Sequence, residues 1–319
     1  MPRADVVDAI TNATYLTAAS VKDFILKKGF SPNDVLDEKE SLDRERLIDQ
    51  AGADAMFSAL KDIPFVLNIV GSEGRKHIAQ YGEALPTLEG VLGKGDLTLD
   101  CVNDVVEGSK AAKLNIPGAM SVIAVSSHNG LMGTPSDIDY MDKLFGPPSL
   151  RGKISFNNSV EENLKAVVET FNIKPAEINV VLMDRERNAR YIEECRKFGV
   201  NVILIKAGDF IATVFACTDP KIHNKGVYLV MGSGGFEEGV MAVVAAKALG
   251  AACEGKGYSA DSEVSKKYSN IWSVNDIVPG KLEDCLLSLT TITPEDKYFD
   301  LPPLTTLTVD SRGVNIMRP

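Results

Sequence analysis

Between residues 159 and 250 the apolar pattern switches repeatedly between a helical and a strand period, which constrains the fold more than any other feature. The predicted helices span 159–172, 186–199, 209–217 and 236–250, and the predicted strands span 178–183, 201–206 and 227–231. Alternating helices and strands are typical of a sheet that is covered by helices on both faces. We therefore predict an α/β protein.

The chain before residue 156 carries a second mixture of helices and strands. Its pattern predicts helices 4–28 and 42–61 and strands 64–70, 97–102 and 119–126. The turn Gly146-Pro147-Pro148 and the charged loop after it place a domain boundary near residue 156. We predict an N-terminal α+β domain (1–156), a C-terminal α/β domain (157–290), and a tail (291–319) whose strand-like pattern is compatible with a return to the first domain.

Composition narrows the possible partners of this chain. The 319 residues are 45% hydrophobic and 24% charged, which is the balance of a globular protein. Asp and Glu exceed Lys and Arg by 44 to 34, and the net charge is −10. Nucleic acids and anionic membranes bind basic surfaces, so we expect neither as a partner. A phosphate substrate remains possible, since a divalent metal ion can reverse the local field.

Cysteine usage points to a cytoplasmic protein. The five cysteines are widely spaced and form no CxxC pair: Cys101, Cys195, Cys217, Cys253 and Cys285. This pattern argues against a zinc site and against a disulfide framework. We expect buried, reduced thiols. The N-terminus lacks the basic and apolar regions of a secretory signal, and no apolar run is long enough for a membrane span.

Common catalytic motifs are absent. The sequence has neither the GxxxxGK[ST] pattern of a P-loop nor a GxSxG nucleophile elbow. The segment 232–239 resembles a dinucleotide loop, but Glu237 stands at the place of the third glycine. Two adjacent carboxylates there would repel a pyrophosphate. The hypothesis of a nucleotide-binding α/β protein is therefore supported by no dinucleotide-binding motif.

The strongest local signal is the segment 100–109, in which an apolar strand delivers three carboxylates. Asp100 and Asp104 are followed by Glu107, and then by Gly108 and Ser109 at the start of a short helix. Carboxylates at this spacing can supply the oxygen ligands that Mg²⁺ and Mn²⁺ prefer. Free amides at a helix start can hold a phosphate. The alternative is an acidic turn in which Ser109 caps the helix.

Two further carboxylates lie where a ligand could reach them. Asp49 shares one helical face with Ala53, Met56 and Leu60, and a carboxylate on an apolar stripe needs a partner or a metal. Glu73 stands between glycines after the strand 64–70. The alternatives are an Asp bonded to a neighbouring loop and a solvated turn.

Three strands of the second domain end in polar loops that contain glycine or arginine. These loops are Asp184-Arg185-Glu186-Arg187, Ala207-Gly208-Asp209 and Gly234-Gly235-Phe236-Glu237-Glu238-Gly239. Ligands dock at the carboxyl ends of strands in α/β sheets, and paired arginines can clamp a phosphate. A shared site at one sheet edge is therefore more credible than any single loop.

The order of these motifs, over roughly residues 40–290, resembles class II fructose-1,6-bisphosphatase, a branch of the lithium-sensitive, metal-dependent sugar phosphatase superfamily. The family patterns D-x-x-x-D-P-x-E-G-T, D-x-A-A-x-x-A-M and D-x-Y-M-x-K-[IL] resemble residues 100–109, 49–56 and 137–144. The patterns D-[RK]-x-R, D-G-D and G-G-x-P-E-G-[VI] resemble residues 184–187, 207–209 and 234–240. The resemblance implies a layered α/β/α/β/α architecture with two sheet-containing domains, and hydrolysis of a sugar bisphosphate with Mg²⁺ or Mn²⁺. It also implies that residues 1–156 bind metal and phosphate and that residues 157–290 bind the sugar phosphate.

The resemblance also implies roles for individual residues. The metal carboxylates of the family fall on Asp49, Glu73, Asp104, Glu107 and Glu238. The catalytic set of the family falls on Asp49, Glu73, Asp104, Glu107 and Ser109. The phosphate-holding group falls on Gly108 and Ser109, and the sugar-phosphate contacts fall on Tyr140, Arg185, Arg187 and Asp209. A homodimer or homotetramer is expected from the resemblance alone.

This chain departs from the family pattern at several positions. Val105 replaces a proline, Ser109 replaces a threonine, and Ala207 removes a sugar-contacting acid. The glutamate-rich loop is shortened around Glu73, Phe236-Glu237 replaces a small residue and proline, and Glu45 stands where the family has a lysine, with Arg44 or Arg46 as candidates to compensate its charge. These changes touch mainly the substrate side. Sedoheptulose 1,7-bisphosphate and inositol phosphates are alternative substrates, and a catalytically silent sugar-phosphate-binding relative is the other alternative.

Overall fold

The computed structural model describes residues 2–72, 88–135, 137–220, 226–259, 261–294 and 298–319. The chain divides into two compact units, of which unit 1 comprises Met1–Gly133 and Gly280–Pro319 and unit 2 comprises Thr134–Pro279. The expected boundary near residue 156 falls inside unit 2. The reason is that a strand at Tyr140–Gly146 belongs to the sheet of that unit.

Helices and strands alternate along most of the chain. The helices are α1 (Ala4–Lys28), α2 (Glu38–Leu60), α3 (Ser109–Ala112), α4 (Val160–Phe171), α5 (Ala189–Phe198), α6 (Asp209–Ala216), α7 (Phe236–Ala248), α8 (Ser262–Lys267) and α9 (Val274–Ile277). The strands are β1 (Val66–Ser72), β2 (Val91–Leu92), β3 (Thr98–Glu107), β4 (Met120–Ser127), β5 (Tyr140–Gly146), β6 (Asn179–Met183), β7 (Asn201–Ile205), β8 (Val227–Gly235), β9 (Ala252–Tyr258), β10 (Ile271–Ser273), β11 (Leu286–Thr291), β12 (Thr306–Asp310) and β13 (Gly313–Met317).

Unit 1 is built on a seven-stranded sheet in the order β13-β12-β11-β4-β3-β1-β2. Among the described strands of this sheet, β1 and β3 pair in parallel and the other neighbours pair antiparallel. Helix α1 packs on β4, β11 and β12, and α2 packs on α1 and β3. The C-terminal segment therefore returns to unit 1, where β11 pairs with β4.

The two long helices of unit 1 end where the sequence chemistry requires. Helix α1 stops at Gly29, which adopts a left-handed conformation (φ 67°) that glycine reaches at little cost. Helix α2 begins after Asp37, whose side chain accepts a hydrogen bond from the amide of Glu40. Asp49 and Glu45 lie on the buried face of α2. These two carboxylates contact Ser109 and Lys113, which lie at the start and after the end of α3.

Unit 2 contains a six-stranded sheet in the order β10-β9-β5-β8-β6-β7. Strands β6, β7 and β8 are parallel, whereas β5 runs antiparallel between β8 and β9. Residues of α4 and α5 form a core with Leu144, Leu182 and Leu229, while α6 and α7 contact β5 and β8. Leu144 and Phe145, adjacent on β5, are both buried, so both faces of this strand are covered. The α/β class predicted from the alternating pattern is confirmed.

No helix among the described residues is both long enough and apolar enough to cross a bilayer.

Candidate active site

The end of β3 brings Asp104 and Glu107 to the start of α3, and both side chains are buried. The pairing of β3 with β4 shifts register between these two residues, which marks an irregularity at the strand end. The amide of Val106 donates to Asp104 Oδ1 at 3.0 Å. Gly108 then turns the chain with φ 80°, and a Cβ at this position would lie 2.5 Å from the carbonyl oxygen of Gly118. Only glycine fits this turn without displacing the neighbouring backbone.

Asp49 reaches the same turn from α2. Its Oδ1 lies 3.1 Å from the hydroxyl oxygen of Ser109, and that hydroxyl also lies 2.9 Å from the carbonyl oxygen of Val106. The helix approaches the turn closely because it carries Gly52, whose added Cβ would lie 3.0 Å from Val106 Cγ2. Tertiary packing thus joins residues that are 60 positions apart in the sequence.

The donor chemistry of unit 1 fits a hard divalent cation. Asp49, Asp104 and Glu107 present carboxylate oxygens that are buried, and Mg²⁺ and Mn²⁺ prefer such ligands. Within the described residues, however, no group of three or more His, Cys, Asp or Glu side chains forms a metal site. Glu73 lies outside the described residues, and Glu238 belongs to unit 2. The five-carboxylate ligand set therefore stays a prediction.

Asp100 has a structural environment despite its position on the same strand. Its carboxylate accepts hydrogen bonds from Asn68 Nδ2 and from the amide of Gly130, and it lies 3.1 Å from His128 Nδ1. These contacts tie β1, β3 and the loop after β4 together. Asp100 is therefore fully engaged in holding the sheet edge.

In unit 2, the three parallel strands β6, β7 and β8 end at one edge of the sheet, where the sequence predicts a shared site. Arg187 lies over the ring of Tyr140 at 4.7 Å, and its Nε donates to the carbonyl oxygen of Ser233 at 3.0 Å. Arg185 donates to the carbonyl oxygens of Lys206 and Asp184. Both guanidinium groups are thus fixed to backbone at this edge, near the ends of β6, β7 and β8.

Asp209, at the first turn of α6, forms a buried ion pair that the sequence analysis missed. Lys143 Nζ lies 2.6 Å from Asp209 Oδ2, and both side chains are more than nine-tenths buried. Gly234 makes room for the lysine, because an added Cβ there would lie 2.6 Å from Lys143 Nζ and 3.1 Å from Glu238 Oε2. Glu238 Oε2 also accepts from the amide of Gly235 at 2.9 Å. One glycine therefore brings the lysine and two predicted site carboxylates close together.

A second missed group surrounds Asp142 on β5. The hydroxyl of Ser233 donates to its carboxylate, and Tyr191 forms a further hydrogen bond. Burial raises the pKa of the Asp142 carboxyl above its ordinary value, while the Ser233 hydroxyl and Lys256 oppose the shift. Burial also raises the pKa of the Tyr191 phenol. The sequence feature that could have predicted this group is that Asp142 stands two residues after Tyr140, which places both side chains on the same face of a strand.

The first two residues of α7, Phe236 and Glu237, depart from the family pattern and pack within unit 2. Glu237 is buried and accepts a hydrogen bond from Thr134 Oγ1 at 3.0 Å. The ring of Phe236 meets Trp272 edge to face, with centroids 6.0 Å apart. Both residues thus have partners within the unit, which explains how it accommodates this departure.

Comparison with known proteins gives a consistent family assignment. Residues 41–296 match the family described as bacterial fructose-1,6-bisphosphatase, glpX-encoded. A protein of Thermosynechococcus vestitus named D-fructose 1,6-bisphosphatase class 2/sedoheptulose 1,7-bisphosphatase is 31% identical over 274 residues, which cover 82% of this chain and 74% of that relative. This match confirms the resemblance inferred from the ordered motifs.

Two Synechococcus proteins with the same name are also similar to this chain. The protein of strain JA-2-3B'a(2-13) is 33% identical over 65% of this chain and 61% of its own length. The protein of strain CC9605 is 34% identical over 68% of this chain and 63% of its own length. The chain thus spans less than two thirds of the length of these two relatives.

Proposed function

Because the chain belongs to the bacterial fructose-1,6-bisphosphatase family, glpX-encoded, we propose that it hydrolyses the 1-phosphate of fructose 1,6-bisphosphate. The family consists of metal-dependent phosphoric monoester hydrolases. The observation that carries the proposal within the structure is the Asp49–Ser109 contact at the end of β3. It joins a buried carboxylate to a hydroxyl at the start of a helix, beside Asp104 and Glu107.

Unit 1 supplies the groups that we assign to the reacting phosphate. Gly108 and Ser109 hold the phosphate, with the Ser109 hydroxyl fixed between Asp49 and the carbonyl oxygen of Val106. This hydroxyl is prepositioned to orient either the phosphate or the attacking water. Asp49, Asp104 and Glu107 are the proposed metal ligands of this unit, and Glu73 is a further ligand outside the described residues.

Mg²⁺ or Mn²⁺ is the proposed cofactor. Such an ion would supply an activated water and positive charge toward the phosphoryl oxygens. We expect metal binding to stabilise the protein, because a cation would offset the repulsion between carboxylates that are gathered in one buried site.

Unit 2 supplies the groups that we assign to the sugar phosphate. Arg185 and Arg187 offer guanidinium groups for a phosphate, and Tyr140 is stacked beneath Arg187. Asp209 is proposed as a contact for sugar hydroxyl groups, and Lys143 fixes the orientation of its carboxylate. Glu238 is proposed as the metal ligand of this unit.

Sedoheptulose 1,7-bisphosphate is the second candidate substrate, because the similar proteins carry both activities in their names. The loss of an acid at Ala207 favours an altered sugar preference.

We further propose a cytoplasmic location, supported by five free cysteine thiols, and a homodimer or homotetramer as the assembly.

The decisive experiment measures inorganic phosphate released from a panel of sugar phosphates with Mn²⁺ or Mg²⁺. The wild type should release phosphate from fructose 1,6-bisphosphate only with metal. Glu107→Gln should reduce turnover by about 10²-fold or more, since it removes a charged oxygen ligand. Glu161→Gln, on the exposed face of α4, is the matched control and should retain full turnover.

Other outcomes lead to different conclusions. Turnover that survives Glu107→Gln would show that its assigned role is wrong. Preferential release from sedoheptulose 1,7-bisphosphate would favour the second substrate. A thermal shift with Mn²⁺ and sugar bisphosphate but no phosphate release would identify a catalytically silent relative.

A further inference from the structure

A ladder of polar contacts joins α2 to the short helix α3. On α2, Ser41, Glu45 and Asp49 follow one another at intervals of four residues and therefore share one face. Ser109 and Lys113 are spaced in the same way. Lys113 Nζ contacts Glu45 Oε1 and lies 2.5 Å from Ser41 Oγ, while Ser109 Oγ lies 3.1 Å from Asp49 Oδ1. The two helices thus meet in antiparallel register, with the ion pair one turn from the predicted catalytic pair.

The ion pair between Glu45 and Lys113 is buried, and burial makes its geometry costly to disturb. Glu45 is 3% exposed and Lys113 is 9% exposed. Breaking such a pair leaves a charge in a poorly solvated place, so the two side chains hold their geometry far more firmly than an exposed pair does. The contact therefore limits how far α3 can slide along α2.

Lys113 also supplies the positive charge that pairs with the glutamate at position 45, where the family has a lysine. The sequence offered Arg44 as one candidate, but Arg44 pairs with Asp34 and Glu40 and lies over the ring of Phe30 at 4.3 Å. Arg44 also donates a hydrogen bond to the carbonyl oxygen of Lys113, the residue that follows α3. The structure thus supplies a cation for Glu45 from 68 residues further along the chain.

We propose that Glu45 and Lys113 are positioning residues that hold Ser109 and Gly108 in register with Asp49. This inference rests on the proposed function, because Asp49 and Ser109 are its assigned catalytic groups. The pair acts on the reacting phosphate through α3 and touches no substrate. Its loss should lower kcat more than it raises KM for the sugar bisphosphate, because the proposed contacts with the sugar and with the second phosphate lie in unit 2 and stay in place.

The test compares Glu45→Gln, Lys113→Met and the reversed pair Glu45→Lys/Lys113→Glu. Each single variant should lower kcat by about tenfold or more, since small displacements of catalytic groups are costly. KM should stay within about threefold, and the reversed pair should regain most of the lost kcat because it restores opposite charges at the same two positions. Glu161→Gln, which breaks the exposed pair with Lys165, is the control and should match the wild type.

Hydrogen exchange of peptides covering residues 105–116 provides a readout that needs no activity. The single variants should lose amide protection there and the reversed pair should regain it. If the wild type releases no phosphate, the proposed function is refuted. The hydrogen-exchange comparison then still tests whether the ion pair holds α3 in place. Single variants with wild-type kcat and protection, or a reversed pair as impaired as the single variants, would overturn the inference. If the single variants fail to fold, the inference is supported when the reversed-pair variant folds and hydrolyses substrate, and it is overturned when that variant does not.

Discussion

Replacing Lys143 with Met tests how strongly unit 2 depends on one buried ion pair. The ammonium lies 2.6 Å from Asp209 Oδ2, and the two side chains are only 2% and 7% exposed. Met fills a similar volume but leaves the Asp209 carboxylate buried without this cation. Breaking a buried pair in this way costs about 3–5 kcal/mol of unfolding free energy.

The exposed pair of Lys165 and Glu161 offers a matched control in the same unit. Its nitrogen and oxygen are 2.7 Å apart, almost the same separation, but the side chains are 56% and 64% exposed. Lys165→Met should therefore cost at most about 1 kcal/mol. Because the substitution is the same and the two distances are nearly equal, the comparison isolates the effect of burial.

The assay is urea denaturation followed by circular dichroism, with thermal unfolding as a second measurement. At about 2 °C per kcal/mol for a chain of this size, Lys143→Met should lower Tm by about 6–10 °C. Adding Asp209→Asn removes the uncompensated carboxylate, so the double variant should lose less than the two single variants together. If Lys143→Met is no more destabilising than Lys165→Met, the reasoning from burial is wrong. Additive losses in the double variant would also refute it.

Two further predictions concern the turn after β3 and the acid on β5. Gly108→Ala should lower the free energy of unfolding by more than the about 1–3 kcal/mol of backbone strain alone, because the added Cβ would meet a carbonyl oxygen. The control is Gly199→Ala, which also has a positive φ but whose Cβ would lie in open space, so it should lose less unfolding free energy in urea denaturation. Equal losses in the two variants would contradict the steric argument. Burial raises the pKa of Asp142, so the stability that its protonated form contributes is present at low pH and is lost as pH rises through the folded pKa. Asp142→Asn, which keeps an acceptor for Ser233 and Tyr191, should therefore gain unfolding free energy relative to the wild type as the pH rises above about 4, the ordinary pKa of an aspartate. A difference that stays constant with pH would be evidence against the shift.

Local patterns determined much of the helical structure. The helix predicted over 4–28 is α1 with the same limits, because an apolar stripe runs along it and Gly29 terminates it. The alternation between 159 and 250 also matches α4 to α7 and β6 to β8 within a few residues. These elements carry their own periodicity and end signals, so neighbouring residues suffice to predict them.

Strand β5 was not predicted because its charges obscure the apolar alternation. Asp142 and Lys143 would be costly in a buried strand unless they had partners. Those partners, Ser233 and Asp209, lie 91 and 66 residues away in the sequence. Only the assembled sheet explains why a strand can form there, and the domain limits follow from that strand.

The candidate site divides in the same way between local and distant information. Local sequence was enough to predict the α/β class and to propose which residue types form the candidate site, because strand ends, glycine turns and ordered motifs are local. Tertiary structure alone decided the pairings, in which Glu45 meets Lys113 and Ser109 meets Asp49. The physical reason is that a buried charge is stable only beside its partner, and packing rather than sequence distance sets which partner is within reach.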